Sequence, residues 1–187
     1  MPEKENPKLK TLVPWLYHND HHNTVRYILG TEGKRPLVCI GINPSTAEPD
    51  RLDNTLKSVA RLAKSNGFDS WIMLNVYPQR ATDPDHLHRK ADAVIHRKNL
   101  AAIEKMLSGI KGRPVIWAAW GTLIDKRDFL SQCLRDIYHV AKKHHCRWVT
   151  IGGVTKDGHP RHPLRMSAAT KTTPFAIDDY MKRVENW

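Results

Sequence analysis

The chain has 187 residues, with 30 Lys and Arg against 19 Asp and Glu, a formal net charge of +11 and an isoelectric point near 9.7. That length holds one α/β domain with a real core and is too short for two, and the positive excess favours polyanionic partners, nucleic acid ahead of membrane surfaces. Three widely spaced cysteines without a Cys-x-x-Cys pair argue against a disulfide framework or an iron–sulfur cluster, and no apolar run nears the roughly 20 residues that span a bilayer.

Residues 1–12 are polar, charged and Pro-bearing, and they read as a flexible tail ahead of a single domain over 13–187. Beyond "WLYHNDHHNTVRYIL", short apolar runs alternate with longer amphipathic segments. Leu37 to Ile42 is the first strand, and "DNTLKSVARLAKSNG" follows as a helix with Asp53 capping its start and Gly67 its end. Trp71 to Tyr77 is the second strand, followed by a helix over Ala91 to Ile110. Val115 to Trp120 is the third, followed by a helix over Lys126 to Lys143. Arg147 to Ile151 is the fourth, and Asp178 to Glu185 is a terminal helix. Four strands joined by helix-length crossovers predict a three-layer α/β/α fold around a central four-stranded, mostly parallel sheet. In such sheets ligands bind outside the carboxyl ends of the strands.

All four strand ends are unusually polar. The first carries "GINPS", the second "LNVYPQRATDP" with Asn75 inside an otherwise apolar strand, the third "AAWG", and the fourth a long loop, "GGVTKDGHPRHPLRMS". Each alone has an ordinary explanation, because Asn, Pro and Gly favour turns for conformational reasons. Together they can line one cleft.

"GINPS", "WIMLN", "AAWG" and "GHPRHPLRMS", in that order over Leu37 to Ser167, resemble the motifs of the uracil-DNA glycosylase superfamily. The first is most similar to the mismatch-specific thymine/uracil branch. Through "GINPSTA", "DNT", "NVYPQRATDP" and "HPRHPL" the chain also resembles a bacterial and phage branch known only as a domain of unknown function. The resemblance implies a uracil-DNA glycosylase-like fold and a monomeric, cytoplasmic DNA-repair hydrolase that flips a damaged, mismatched or modified base and cuts its N-glycosidic bond without a metal or cofactor. A hydrolase of free nucleosides or nucleotides, and a nucleic-acid-binding module without excision activity, are the alternatives.

By this resemblance Asn43 holds the attacking water, and Gly41, Ile42, Pro44, Ser45 and Gly121 shape the pocket. Asn75 reads the base edge with its paired donor and acceptor, and Tyr77 lies near the base face. His159 or His162 stabilises the departing base, the extra residue between the two His-Pro pairs leaving both open. Leu164, Arg165 and Met166 stand where a wedge enters the duplex, and Lys156, Arg161 and Lys171 join Arg165 as phosphate contacts, with "KKHHCR" from Lys142 adding to the basic rim. Asn43 departs from the uracil-specific pattern, which has an aspartate there; Glu48, Asp50 and Asp53, close in sequence, are candidates for the missing negative charge beside their ordinary reading as helix-start and surface carboxylates. Histidines cluster at His18 to His22, His86 to His88 and His144 to Cys146 without zinc-finger spacing or an H-E-x-x-H, so no metal is expected.

Overall fold

The computed structural model describes residues 14–184; the expected tail over 1–12 lies outside them. Seven strands form one mixed sheet in the order β1-β2-β4-β3-β5-β6-β7. The four expected strands are its parallel centre: β3 (Pro36–Gly41), β4 (Ser70–Asn75), β5 (Val115–Ala118) and β6 (Arg147–Ile151). The expectation of only four strands is corrected by an antiparallel hairpin, β1 (Trp15–Asn19) and β2 (Arg26–Thr31), added beyond β4, and by β7 (Thr172–Pro174), antiparallel to β6. Antiparallel strands need no crossover helix, so they leave no alternating helix signal in the sequence. Gly30 makes the β2 contact possible, since a β-carbon there would stand 2.4 Å from the Trp71 carbonyl oxygen.

The helices are α1 (Asn54–Ser65), α2 (Ala93–Gly109), α3 (Asp128–Lys143) and α4 (Ile177–Val184). Asp53 caps α1 by accepting from the Leu56 N–H at 2.8 Å, and Gly67 follows the helix at φ +82°, both as the sequence predicts. Strand alternation divides the core in two. Leu37, Cys39, Trp71, Met73 and Trp117 pack against Leu56, Val59 and Leu62 of α1. Val38, Ile40, Ile72, Leu74 and Ile116 face Ile103 and Leu107 of α2, Leu134 and Ile137 of α3, and Tyr180 of α4. The three layers are therefore real, with α1 on one face.

Along the chain, β3 leads through α1 to β4 on one side, while β5 leads through α3 to β6 on the other. The connections diverge between β3 and β5, the switch point at whose carboxyl ends such sheets form their ligand crevice. Among the described residues no helix is long and apolar enough to cross a membrane.

Candidate functional site

Strand pairing aligns Gly41 with Asn75 at the top of the sheet. Gly41 continues the α1-facing series Leu37 and Cys39, and Asn75 continues Trp71 and Met73, so the Asn75 carboxamide lies on the α1 side of the sheet. A β-carbon on Gly41 would stand 3.6 Å from Asn75 Oδ1 and 2.5 Å from Met73 Cε, so the Met73 methyl packs over the glycine beside the Asn75 amide and would have to shift for any larger residue. Asn75 is 0 % exposed, and among the described residues neither its Nδ2 nor its Oδ1 has a hydrogen-bond partner. On the opposite side Asn99 of α2, also fully buried, donates from Nδ2 to the Asn75 carbonyl at 2.9 Å and fixes the strand end.

Past Gly41 the chain turns as Ile42, Asn43, Pro44 and Ser45. The carbonyls of Gly41 and Ile42 accept from the N–H groups of Val76 and Tyr77 at 2.8 and 2.9 Å, which locks the β3 and β4 ends together. Asn43 Nδ2 donates to the Ala81 carbonyl at 2.7 Å and the Pro44 carbonyl at 3.0 Å, while its Oδ1 accepts from nothing else among the described residues. The amide is thus oriented with its acceptor uncommitted. Ser45 Oγ lies 3.1 Å from Thr82 Oγ1.

Tyr77 is turned away from this crevice. It is buried in the core on the α2 side, its ring against Phe129, its hydroxyl accepting from the Asp92 N–H and bonded to His88 Nδ1. Burial pushes its pKa up to about 12, so it stays a neutral phenol. The side chain that resemblance would set at a base face instead pins the start of α2.

The two histidines of the last loop occupy different worlds. His159 is 1 % exposed and closes a chain in which Trp120 Nε1 donates to the Tyr180 hydroxyl at 3.0 Å and that hydroxyl meets His159 Nδ1 at 3.0 Å. Burial holds the Tyr180 pKa up at about 12, so its proton is available to His159 Nδ1, and the Nε2 proton then goes to Asp125 Oδ2 at 3.1 Å. Both ring nitrogens are committed, so His159 anchors the loop. His162, in contrast, is exposed beside Gly121, whose positive φ of 65° is the left-handed conformation that favours glycine; a β-carbon there would be in ordinary contact with His162 Cβ, at 3.5 Å.

The stretch after His162 is fastened to α1. Ser58 Oγ donates to the Pro163 carbonyl at 2.7 Å, and Arg61 donates to the Met166 carbonyl at 2.6 Å. Met166 packs onto the α1-side core, Arg165 takes a left-handed φ of 63°, and Leu164 stays 42 % exposed. Of the three expected wedge residues, Leu164 alone presents an open apolar side chain. Lys156, Arg161 and Arg165 are exposed on this loop. Lys171 is not brought to the crevice: its Nζ reaches the Ser65 carbonyl at the carboxyl end of α1. "KKHHCR" likewise joins α3 to the start of β6 and sits at the amino end of the parallel strands, opposite the crevice, because a crossover helix ends where the next parallel strand begins. That part of the expected basic rim is corrected.

The structure also separates the three carboxylates near position 43. Glu48 accepts from Asn23 and Arg51, and Asp50 accepts from Trp15 Nε1. Asp53, half-buried at the start of α1, is the one whose charge reaches His162. Desolvation by the surrounding protein lowers the His162 pKa below 6.5, and the Asp53 carboxylate opposes that shift. The neutral ring is therefore favoured in the folded state. On acidification the unfolded chain takes up this proton first, so the His162 contribution to stability falls as pH drops from about 6.5 towards the lowered folded-state value. We expect the His162 ring protons to titrate with a midpoint below 6.5, and Asp53→Asn, which keeps the helix cap, to move it lower still. A midpoint unchanged by that variant would show that Asp53 does not face the ring.

Sequence reading assigned no role to Arg26 or Arg80. Arg26, 1 % exposed at the start of β2, donates to the Ala47 carbonyl at 3.2 Å. Arg80 donates to the same carbonyl, to the Ser45 carbonyl and to the Tyr17 hydroxyl. Desolvation and the neighbouring Arg80 charge push the Arg26 pKa down to about 10, while Asp53 pulls it the other way. The available signal was a charged residue opening the apolar run "RYIL".

A groove of about 1050 Å³ lies elsewhere, between the β1–β2 hairpin and α2, lined by residues such as Leu16, Ile28, Ile72 and Met106. Among the described residues it gathers no buried, unpaired polar side-chain atoms, whereas the strand ends carry those of Asn75, so the chemistry points to the strand ends. Among the described residues no group of three or more His, Cys, Asp or Glu side chains could hold a metal ion.

No curated protein and no solved structure matches the chain. A family profile described as "Protein of unknown function (DUF1643)" matches residues 26–164, a span that opens at Arg26, contains Gly41, Asn43, Asn75, Gly121 and His162, and ends at Leu164. Covering most of the chain, that match makes this protein a member of the DUF1643 family.

Proposed function

We propose that the chain is a DNA glycosylase-like hydrolase, related to the uracil-DNA glycosylase superfamily, that binds a flipped base in the crevice between β3 and β5 and cuts its N-glycosidic bond. The observation that carries this reading is Asn75. Leaving a buried amide donor and acceptor unpaired costs about 1–3 kcal/mol for each group, and a nucleobase edge offers the complementary acceptor and donor side by side. Asn43 supports it with an oriented free acceptor for a water. His162 supports it as a neutral ring able to donate to the base oxygen as the C–N bonding electrons pass to the base and water adds to the sugar carbon.

A second reading, a nucleic-acid-binding module without excision, is favoured by one specific feature. Asn43 is an amide whose nitrogen is spent on the Ala81 and Pro44 carbonyls, so it can neither take a proton from water as a carboxylate does nor offset a sugar cation with a full charge.

Oligonucleotides carrying uracil, thymine opposite guanine, hypoxanthine or hydroxymethylated cytosine, incubated with excess protein and scored for alkali-labile breaks, separate the two. The glycosylase reading expects breaks with at least one substrate and their loss in Asn43→Ala. Duplex affinity without breaks on any substrate selects the binding module. Leu164→Ala should keep the wild-type melting temperature and weaken duplex binding about tenfold if Leu164 fills the gap left by the flipped nucleotide; equal binding removes it from that role.

A further inference from the structure

In the segment Pro44–Ala47 the carbonyls of Pro44, Ser45 and Ala47 are all hydrogen-bonded. The Pro44 carbonyl accepts from Asn43 Nδ2 and the Ala81 N–H, the Ser45 carbonyl from Arg80, and the Ala47 carbonyl from both Arg26 and Arg80. In a trans peptide the N–H points opposite to the C=O, so the Thr46 N–H points away from Arg80, which holds the Ser45 carbonyl, and the Ser45 N–H points away from Asn43 Nδ2 and the Ala81 N–H, which hold the Pro44 carbonyl. Among the described residues neither donates a hydrogen bond. Thr46 is exposed and Ser45 half-buried, and the Ser45 and Thr82 hydroxyls stand beside them.

Two guanidiniums lie behind this loop without a carboxylate in ion-pair contact among the described residues, and the Nε of each is buried and unpartnered. The nearby carboxylates are engaged: Glu48, which also feels the Arg80 charge, bonds to Asn23 and Arg51, and Asp53 caps α1. Two cations this close, one of them fully buried, are costly unless an anion offsets them. The loop therefore presents unpaired N–H groups and hydroxyls near two guanidiniums that Asp53 and Glu48 offset only from a distance, without an ion pair among the described residues, an arrangement suited to an oxyanion.

We propose that the Ser45–Thr46 loop, with the Thr82 hydroxyl and the charge of Arg26 and Arg80, is a binding site for a phosphate group. It adjoins Asn43 in sequence and the crevice in space, so a base at Asn75 and a phosphate at Ser45–Thr46 make a nucleotide the unit recognised. The phosphate site stands without the excision chemistry, since it requires no bond to break. Its source is either a polynucleotide phosphodiester or a free nucleotide.

The test follows the backbone amide resonances of Ser45 and Thr46 in the 15N-labelled chain during titration with inorganic phosphate, a deoxynucleoside 5′-monophosphate and a short oligonucleotide at constant ionic strength. Both resonances are expected to move with phosphate. Arg80→Gln should weaken the response at least tenfold, and Thr82→Ala, which leaves the arginine grip intact, should weaken it severalfold in a chain with unchanged melting temperature. A mononucleotide that saturates at lower concentration than inorganic phosphate, with no further gain from the oligonucleotide, identifies a free nucleotide as the source. Tight binding by the oligonucleotide alone identifies the phosphodiester. If neither amide responds to any of the three, or if Thr82→Ala and Arg80→Gln both titrate like wild type, the proposal fails, whatever the excision assay shows.

Discussion

If the chain excises bases as proposed, His162→Ala is expected to abolish base release while leaving the fold intact, and His159→Ala is expected to do the reverse, lowering stability with little direct effect on the chemistry of the chain that remains folded. His162 is exposed at the crevice and makes only a local contact, its Nδ1 accepting from the Leu164 N–H at 3.3 Å. Its removal should change the melting temperature little. His159 fills a buried site and ties Tyr180 of α4 to Asp125. Its loss leaves a cavity and a Tyr180 hydroxyl without an acceptor, together about 2–4 kcal/mol. For a domain of this size that is a fall of roughly 5–15 °C in melting temperature. Thermal denaturation and single-turnover release, measured on the same preparations, check both halves. Equal melting temperatures for the two variants would refute the division of labour between the histidines.

Asn75→Ala should separate binding from stability in a second way. Its amide makes no hydrogen bond among the described residues, so deleting it removes two unpaired buried groups, a gain that offsets the small cavity created. The melting temperature is expected to stay level or rise. Affinity for the flipped base is expected to fall at least a hundredfold, because a base edge would then enter the crevice without its partners. Asn99→Ala is the matched control, an equally buried asparagine that does bond to the Asn75 carbonyl; it should cost about 1–2 kcal/mol. Chemical denaturation of both variants, beside duplex binding with a base-flipped probe, decides the matter. An Asn75→Ala chain destabilised as much as Asn99→Ala would mean that Asn75 is a structural residue.

Gly41 to Ser45 illustrates how much of the site was legible. The strand-end position of Gly41 and Asn43 followed from an apolar run broken by turn residues, and Asn75 stood out as a polar residue closing an apolar strand. What could not be read was which polar atoms were already satisfied. Asn43, Asn75 and Asn99 are chemically identical, yet one is half committed, one uncommitted and one used to hold a strand end. Tyr77 was misplaced because the strand ends at Asn75, so alternation no longer governs the side chain two residues on. Lys171 and "KKHHCR" were placed by their nearness in sequence to the last motif, which says nothing about the end of the sheet they reach.

By itself the sequence determined the parallel centre, the crossover helices and the polar strand ends, because period, capping residues and turn residues act over a few positions and need no knowledge of the rest of the chain. Only the tertiary structure decided that a hairpin and β7 extend the sheet, that His159 is buried and His162 open, and that Arg26 and Arg80, 54 positions apart, meet on one carbonyl. Those outcomes depend on which distant groups share a space and satisfy one another's hydrogen bonds, a property of packing rather than of any local stretch.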